Sequence, residues 1–330
     1  MTSTASSGLV LSTRTFGWGM LALLGTFLLN NYLTVALDWP GIASLFDAQA
    51  AASTVWVQIG IYAAGLGAAF AWILASRATT LRADSLRISN FNAYLVRGAF
   101  WAVFLVGLAD MGISFLRVEG FLDAVLGADL STQLGRPNYR GTAVHIPLMI
   151  AGFVLALFTR GLGFTWLALL IVIAELAIVI TRFVFSYEQA FMGDLVRFWY
   201  AALFLFASAH TLLADTHVRV DVFYTSFSIP KKGLVNALGS IFLGMSVSWV
   251  ILIVGMGSKA AIINSPLLNF EVSQSGFGMY TKYLMAGFLG VFAITMLVEF
   301  VSSMMSAVAD YRGEQRQDEA IPDATAVPLH

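Results

Sequence analysis

Cysteine is absent from the 330 residues. Disulfides, thiolate catalysis and cysteine-ligated metals or clusters are therefore excluded, while the compartment stays open. Charge is also scarce. Asp, Glu, Lys and Arg make up 11% of the chain, against roughly a quarter in soluble globular proteins. With 18 basic and 19 acidic residues the net charge is −1, so the basic stripe that nucleic acid requires is missing. No Walker A sequence occurs, which removes an ATPase reading, and no HExxH or GxSxG run supports a membrane hydrolase.

What fills the chain instead is apolar. Hydrophobic residues account for 58% and the mean hydropathy is +0.81. Crossing a bilayer takes about 20 mostly apolar residues per helix, and only helices or closed barrels satisfy the backbone there. The expected fold is an all-α polytopic membrane protein with about eight transmembrane helices. The segments are Phe16–Leu37, Val55–Ser76, Tyr94–Leu116, Ala143–Phe158, Phe164–Phe185, Leu195–Leu213, Leu234–Gly257 and Phe277–Ser303. The fourth is short and carries His145 and Pro147 at its start, so it either spans or is re-entrant. A tight turn over 159–163 pairs it with the fifth as a hairpin.

The first 15 residues are Ser/Thr-rich, and the following apolar run is too long for a cleaved leader, so the first helix is expected to be retained. The connections 38–54 and 117–142 suit short interfacial helices. So does 83–92, where Asp84, Arg87 and Asn90 recur at helical spacing. The segment after Asp310 reads as a polar tail. Sorting the loops into two sides puts 11 Lys and Arg on the side of both termini and 7 on the other. The positive-inside rule then places both termini in the cytoplasm.

Asp110, Glu175 and Glu299 lie within apolar segments, where ionisable groups usually face protein rather than lipid. Two of them share a frame: Ala109-Asp110 precedes Arg117 by the same interval as Ala174-Glu175 precedes Arg182. Seven residues is about 10 Å along a helix, so partners on neighbouring helices are expected. The matched frames also raise a parallel duplication. Helix docking and an ion or proton path are the two readings. Three acids on three helices do not make a coordinating cluster, so docking is favoured and no metal, cofactor or catalytic residue is assigned. A haem-binding redox subunit would need two histidines at matching depth, and His145, His210 and His217 are not so placed. Glycines 60, 65, 67, 239 and 244 suit close helix packing. The spans look mostly continuous, unlike the broken helices of many self-contained transporters.

The densest set of charges is Ala214-Asp-Thr-His-Val-Arg-Val-Asp-Val-Phe-Tyr224, directly after a long apolar run. In extended backbone His217, Arg219 and Asp221 point one way and the valines between them the other. Taken with Arg182-Phe-Val-Phe185 and Gly193-Asp-Leu-Val-Arg197, this stretch carries a family likeness. From about residue 164 to 303 the chain resembles the small membrane subunit, DctQ-type, of tripartite ATP-independent periplasmic (TRAP) transporters. The likeness rests on the Arg182 element, on Asp194 where the family usually has Glu, on Arg197, and on His217-Val-Arg-Val-Asp221.

The resemblance implies a four-helix small-subunit unit over 161–305, an N-terminal membrane extension over 1–160 and a polar cytoplasmic tail over 306–330. It implies a bacterial inner-membrane complex for sodium-coupled uptake of organic acids. Its partners would be a large DctM-type transport subunit, an extracytoplasmic DctP-type binding protein and membrane lipids. This chain would brace the large subunit and support docking of the binding protein. Arg182, Asp194, Arg197, His217, Arg219 and Asp221 would make its structural contacts, with Asp110, Glu175 and Glu299 in supporting roles.

Overall fold

Long apolar runs leave the backbone no polar partner but itself, so each closes its own hydrogen bonds as a helix. The computed structural model describes residues 3–46, 53–160, 164–187, 189, 191–213, 223–272 and 278–314. Its helices are α1 (Ser3–Ala36), α2 (Ser53–Ala75), α3 (Leu81–Val118), α4 (Leu122–Leu126), α5 (Ala128–Leu134), α6 (Pro137–Arg140), α7 (Ile146–Phe158), α8 (Phe164–Val184), α9 (Met192–Leu213), α10 (Ile229–Gly239), α11 (Ser246–Met256), α12 (Asn264–Asn269) and α13 (Lys282–Tyr311). No strand occurs among the described residues. Among the described residues eight helical stretches are long and apolar enough to cross a membrane, and the chain is an all-α, multi-pass membrane protein.

Several boundaries differ from the sequence reading. The interfacial helix expected over 83–92 and the third span are one continuous α3 of 38 residues. Helix α1 begins well before the apolar run and takes Arg14 into its body. The fourth segment reaches back to Pro137, giving 22 residues over Pro137–Phe158, the length of a full crossing. Its first part is widened: Gly141–His145 is a π-turn between α6 and α7. Pro147 supplies the cause, because it cannot donate to the carbonyl of Ala143 and its ring crowds that oxygen. A second π-turn, Ser240–Met245, joins α10 to α11.

The chain divides into two compact units. One draws on Met1–Asn92, Leu212–Asn264 and Ala293–Arg316, the other on Ala93–Thr211 and Ser265–Phe292. The division expected near residue 160 is one of sequence, whereas these units interleave segments from both sides of it. The first unit has a core of Leu24, Met245, Leu252, Leu297, Val301 and Met305, with Phe27 set edge-on against Trp249. Helices α1 and α2 meet closely at Gly65, where a Cβ would lie 2.4 Å from the Thr26 methyl. The second unit packs Phe100, Phe198, Phe206 and Phe288 as a chain of ring contacts 5.0–5.6 Å apart. In it α7 meets α3 so closely that a Cβ on Gly152 would stand 2.4 Å from the Ala102 nitrogen. Of the five glycines singled out from sequence, only 65 and 244 have such a neighbour.

Candidate functional site

Polar side chains buried among apolar helices must find one another, because an unmet donor or acceptor there costs about 1–3 kcal/mol and a charge more. The second unit shows the result most fully, around Asp110 in α3. Arg140 at the end of α6 donates from Nη1 to Asp110 Oδ1 at 2.9 Å, and both side chains are completely buried. The π-turn brings His145 onto the same oxygen, Nε2 lying 3.1 Å away. On its other side His145 Nδ1 meets the Tyr283 hydroxyl at 2.8 Å. The two ring nitrogens thus bridge the Asp110 carboxylate and the Tyr283 hydroxyl.

The second carboxylate oxygen of Asp110 accepts the backbone N–H of Tyr280 at 2.7 Å. Its neighbour Met279 N–H is accepted by Asp194 Oδ2 at 3.2 Å. Two carboxylates thus hold successive amides just ahead of α13, where the helix dipole favours negative charge. Tyr280 itself is clamped. Its ring lies 4.0 Å from the Arg140 guanidinium carbon and 4.7 Å from that of Arg117, and its hydroxyl donates to Gly135 O at 3.0 Å. Arg117 also donates to the hydroxyl of Tyr280 and to Gly278 O. Arg140 Nε donates to Leu134 O. The cluster therefore ties α3, α5, α6, the π-turn and the lead-in to α13 into one block. Nearby, the exposed Tyr187 hydroxyl donates to Glu119, and that hydrogen bond raises the phenol's pKa.

The first unit holds two further clusters. Glu299 in α13 accepts Ser89 Oγ at 2.8 Å on one oxygen and Asn92 Nδ2 at 2.9 Å on the other. These come from one stripe of α3, Ser85, Ser89 and Asn92, at i, i+4 and i+7. In the other cluster Arg14 Nε donates to Asp84 Oδ2 at 2.6 Å, and its two terminal nitrogens donate to Ser76 O and Oγ. Trp18 Nε1 donates to the same Asp84 oxygen.

The residues proposed from sequence fall into distinct groups. Asp110 and Glu299 are buried and satisfied by neighbouring helices. Asp194 sits in the first turn of α9, holding Met279 and lying 3.5 Å from the exposed Arg197. Arg182 and Glu175 are both exposed on α8. The matched frames of Asp110 and Glu175 thus have opposite environments, which leaves the suggested duplication without a shared role. His217, Arg219 and Asp221 lie outside the described residues.

Sequence reading missed Arg140 and Arg14, both assigned to loops and both buried in helices. It missed Tyr280 and Tyr283 as partners, and the serine stripe on α3, which its spacing could have revealed. Among the described residues no group of three His, Asp or Glu could hold a metal. The chain matches no protein-family model, no curated protein and no solved structure.

Proposed function

We propose that this chain is an accessory scaffold subunit of a TRAP-type, sodium-coupled transporter of organic acids. It would brace the large transport subunit and help a soluble binding protein dock, in a bacterial inner membrane with both termini cytoplasmic. One observation carries this reading. The carboxylates of Asp110 and Glu299 have both oxygens engaged by groups of the same chain, so their polarity is spent on fixing helices to one another. Such saturated pairs suit a brace, whereas a substrate or ion path needs polar groups free to exchange partners. The order Arg182, Asp194, Arg197, His217, Arg219, Asp221 supports the family assignment. Asp194 adds to it by joining the start of α9 to the lead-in of α13. Haem ligation gains no support from His145, whose two ring nitrogens are both occupied by hydrogen bonds.

Transport assays test the reading. Proteoliposomes carrying the complex that a tagged copy brings out of native membranes should accumulate an organic acid when a sodium gradient is applied. Liposomes carrying this chain alone should not. Uptake by the chain alone would contradict the scaffold role, and a Soret band in the purified protein would replace it with a redox one.

A further inference from the structure

Helix α8 turns a narrow stripe inward. Leu167, Ile171 and Ala174, at i, i+4 and i+7, are each 5% exposed. Around the rest of the helix Trp166, Val172, Leu176 and Val179 are exposed, as apolar side chains in contact with lipid or protein would be. Glu175 stands among them and is exposed too. It lies eleven residues from Phe164 and nine from Val184. At 1.5 Å per residue that is about 14–17 Å from either end of the helix. Among the described residues no hydrogen bond or ion pair reaches its carboxyl group.

Lipid does not account for this position. Acyl chains offer no donor, and a glutamate side chain is too short to reach headgroups from mid-depth, as Lys and Arg can near helix ends. A second copy fits poorly as well. In a two-fold pair built on this face Glu175 would oppose Glu175, placing like charges together without a cation. The nearest cation on the same helix, Arg182, is about 10 Å further along and at another depth. What remains is a different polypeptide that brings positive charge to the middle of the bilayer.

We propose that the outward face of α8, centred on Glu175 and flanked by Val172 and Val179, docks a membrane-spanning helix of another protein. That helix presents a Lys or Arg to the Glu175 carboxylate. The proposal rests on the reading of this chain as one subunit of a membrane complex, and it names the partner chemistry at one face.

Photo-crosslinking in native membranes tests it. The full chain carries a benzophenone amino acid at Val172 or at Val179, with Val154 on α7 as the apolar control, and adducts are mapped by mass spectrometry. Positions 172 and 179 should each join one membrane-spanning segment of a different protein, with a Lys or Arg within a helical turn of the attachment point. Glu175→Lys should lower the adduct yield at least tenfold, and changing the mapped basic residue to Glu should restore it. Adducts with lipid only, adducts with a second copy of this chain, a partner segment without Lys or Arg, or a charge swap that fails to rescue would each overturn the proposal. Failure of the wider reading looks different. A mapped partner that takes no part in organic-acid uptake removes the transporter assignment and leaves this interface standing. A confirmed uptake complex with lipid-only adducts at α8 does the reverse.

Discussion

Asp110 and Glu175 occupy nearly the same sequence frame, each after an alanine and seven residues before an arginine. Their surroundings are opposite. Asp110 is closed in by Arg140, His145 and the Tyr280 amide, with no exposed surface. Glu175 faces outward from the centre of α8. The difference teaches that an intramembrane acid is defined by where its compensating group resides. For Asp110 that group is within the chain, so the acid contributes to folding. For Glu175 no such group stands among the described residues, and the proposed docking would supply it from a partner helix. Glu299 falls between, satisfied within the chain by neutral donors alone.

This contrast orders the expected effects of mutation. Asp110→Ala leaves the Arg140 guanidinium buried without its counter-ion, and destabilisation of about 3–5 kcal/mol is expected, read as loss of folded protein in detergent or a large fall in Tm. The pair can be tested as a pair: Asp110→Leu with Arg140→Met should recover much of that loss, because a well-packed apolar replacement removes both desolvation costs. A double mutant as unstable as the single ones would show that His145 and the Tyr280 amide, rather than the ion pair, need the carboxylate. Glu299→Gln keeps the shape and disturbs only hydrogen bonds to Ser89 and Asn92, so a loss of about 1–2 kcal/mol is expected in the same assay. Tyr283→Phe removes the hydroxyl on His145 Nδ1 and should cost about 1 kcal/mol. Glu175→Gln should change the stability of the isolated chain by no more than about 0.5 kcal/mol, as for other exposed sites, while weakening its complex. A large loss in the isolated chain would erase the contrast between the two acids.

Hydropathy made the fold class and the number of long helices legible, because composition alone decides which stretches can live in lipid. It also marked Asp110 and Glu299 as acids that need partners. The partners themselves were harder to read. Arg140 follows Pro137 near the end of the 117–142 connection, and His145 stands at the start of the expected fourth segment. Arg140 is helical and buried at the end of α6, and the π-turn ahead of Pro147 brings His145 onto the same carboxylate of α3. Arg14 was hidden for a similar reason, since the Ser/Thr-rich run before it carries no apolar signal yet continues α1. On α3 the visible polar pattern was Asp84, Arg87 and Asn90, of which only Asp84 is buried. The stripe that meets α13 is shifted from it, with Ser85 on Ser302 and Ser89 and Asn92 on Glu299. Small polar residues carry too little hydropathy contrast to announce a buried face.

The scaffold reading is tested most directly by the mass of the complex that a tagged copy of this chain forms after gentle extraction from native membranes. Native mass spectrometry should find a heteromer with a larger polytopic membrane protein, and Glu175→Lys should shift the population toward the free chain. A species made only of copies of this chain, unchanged by that substitution, would contradict the account.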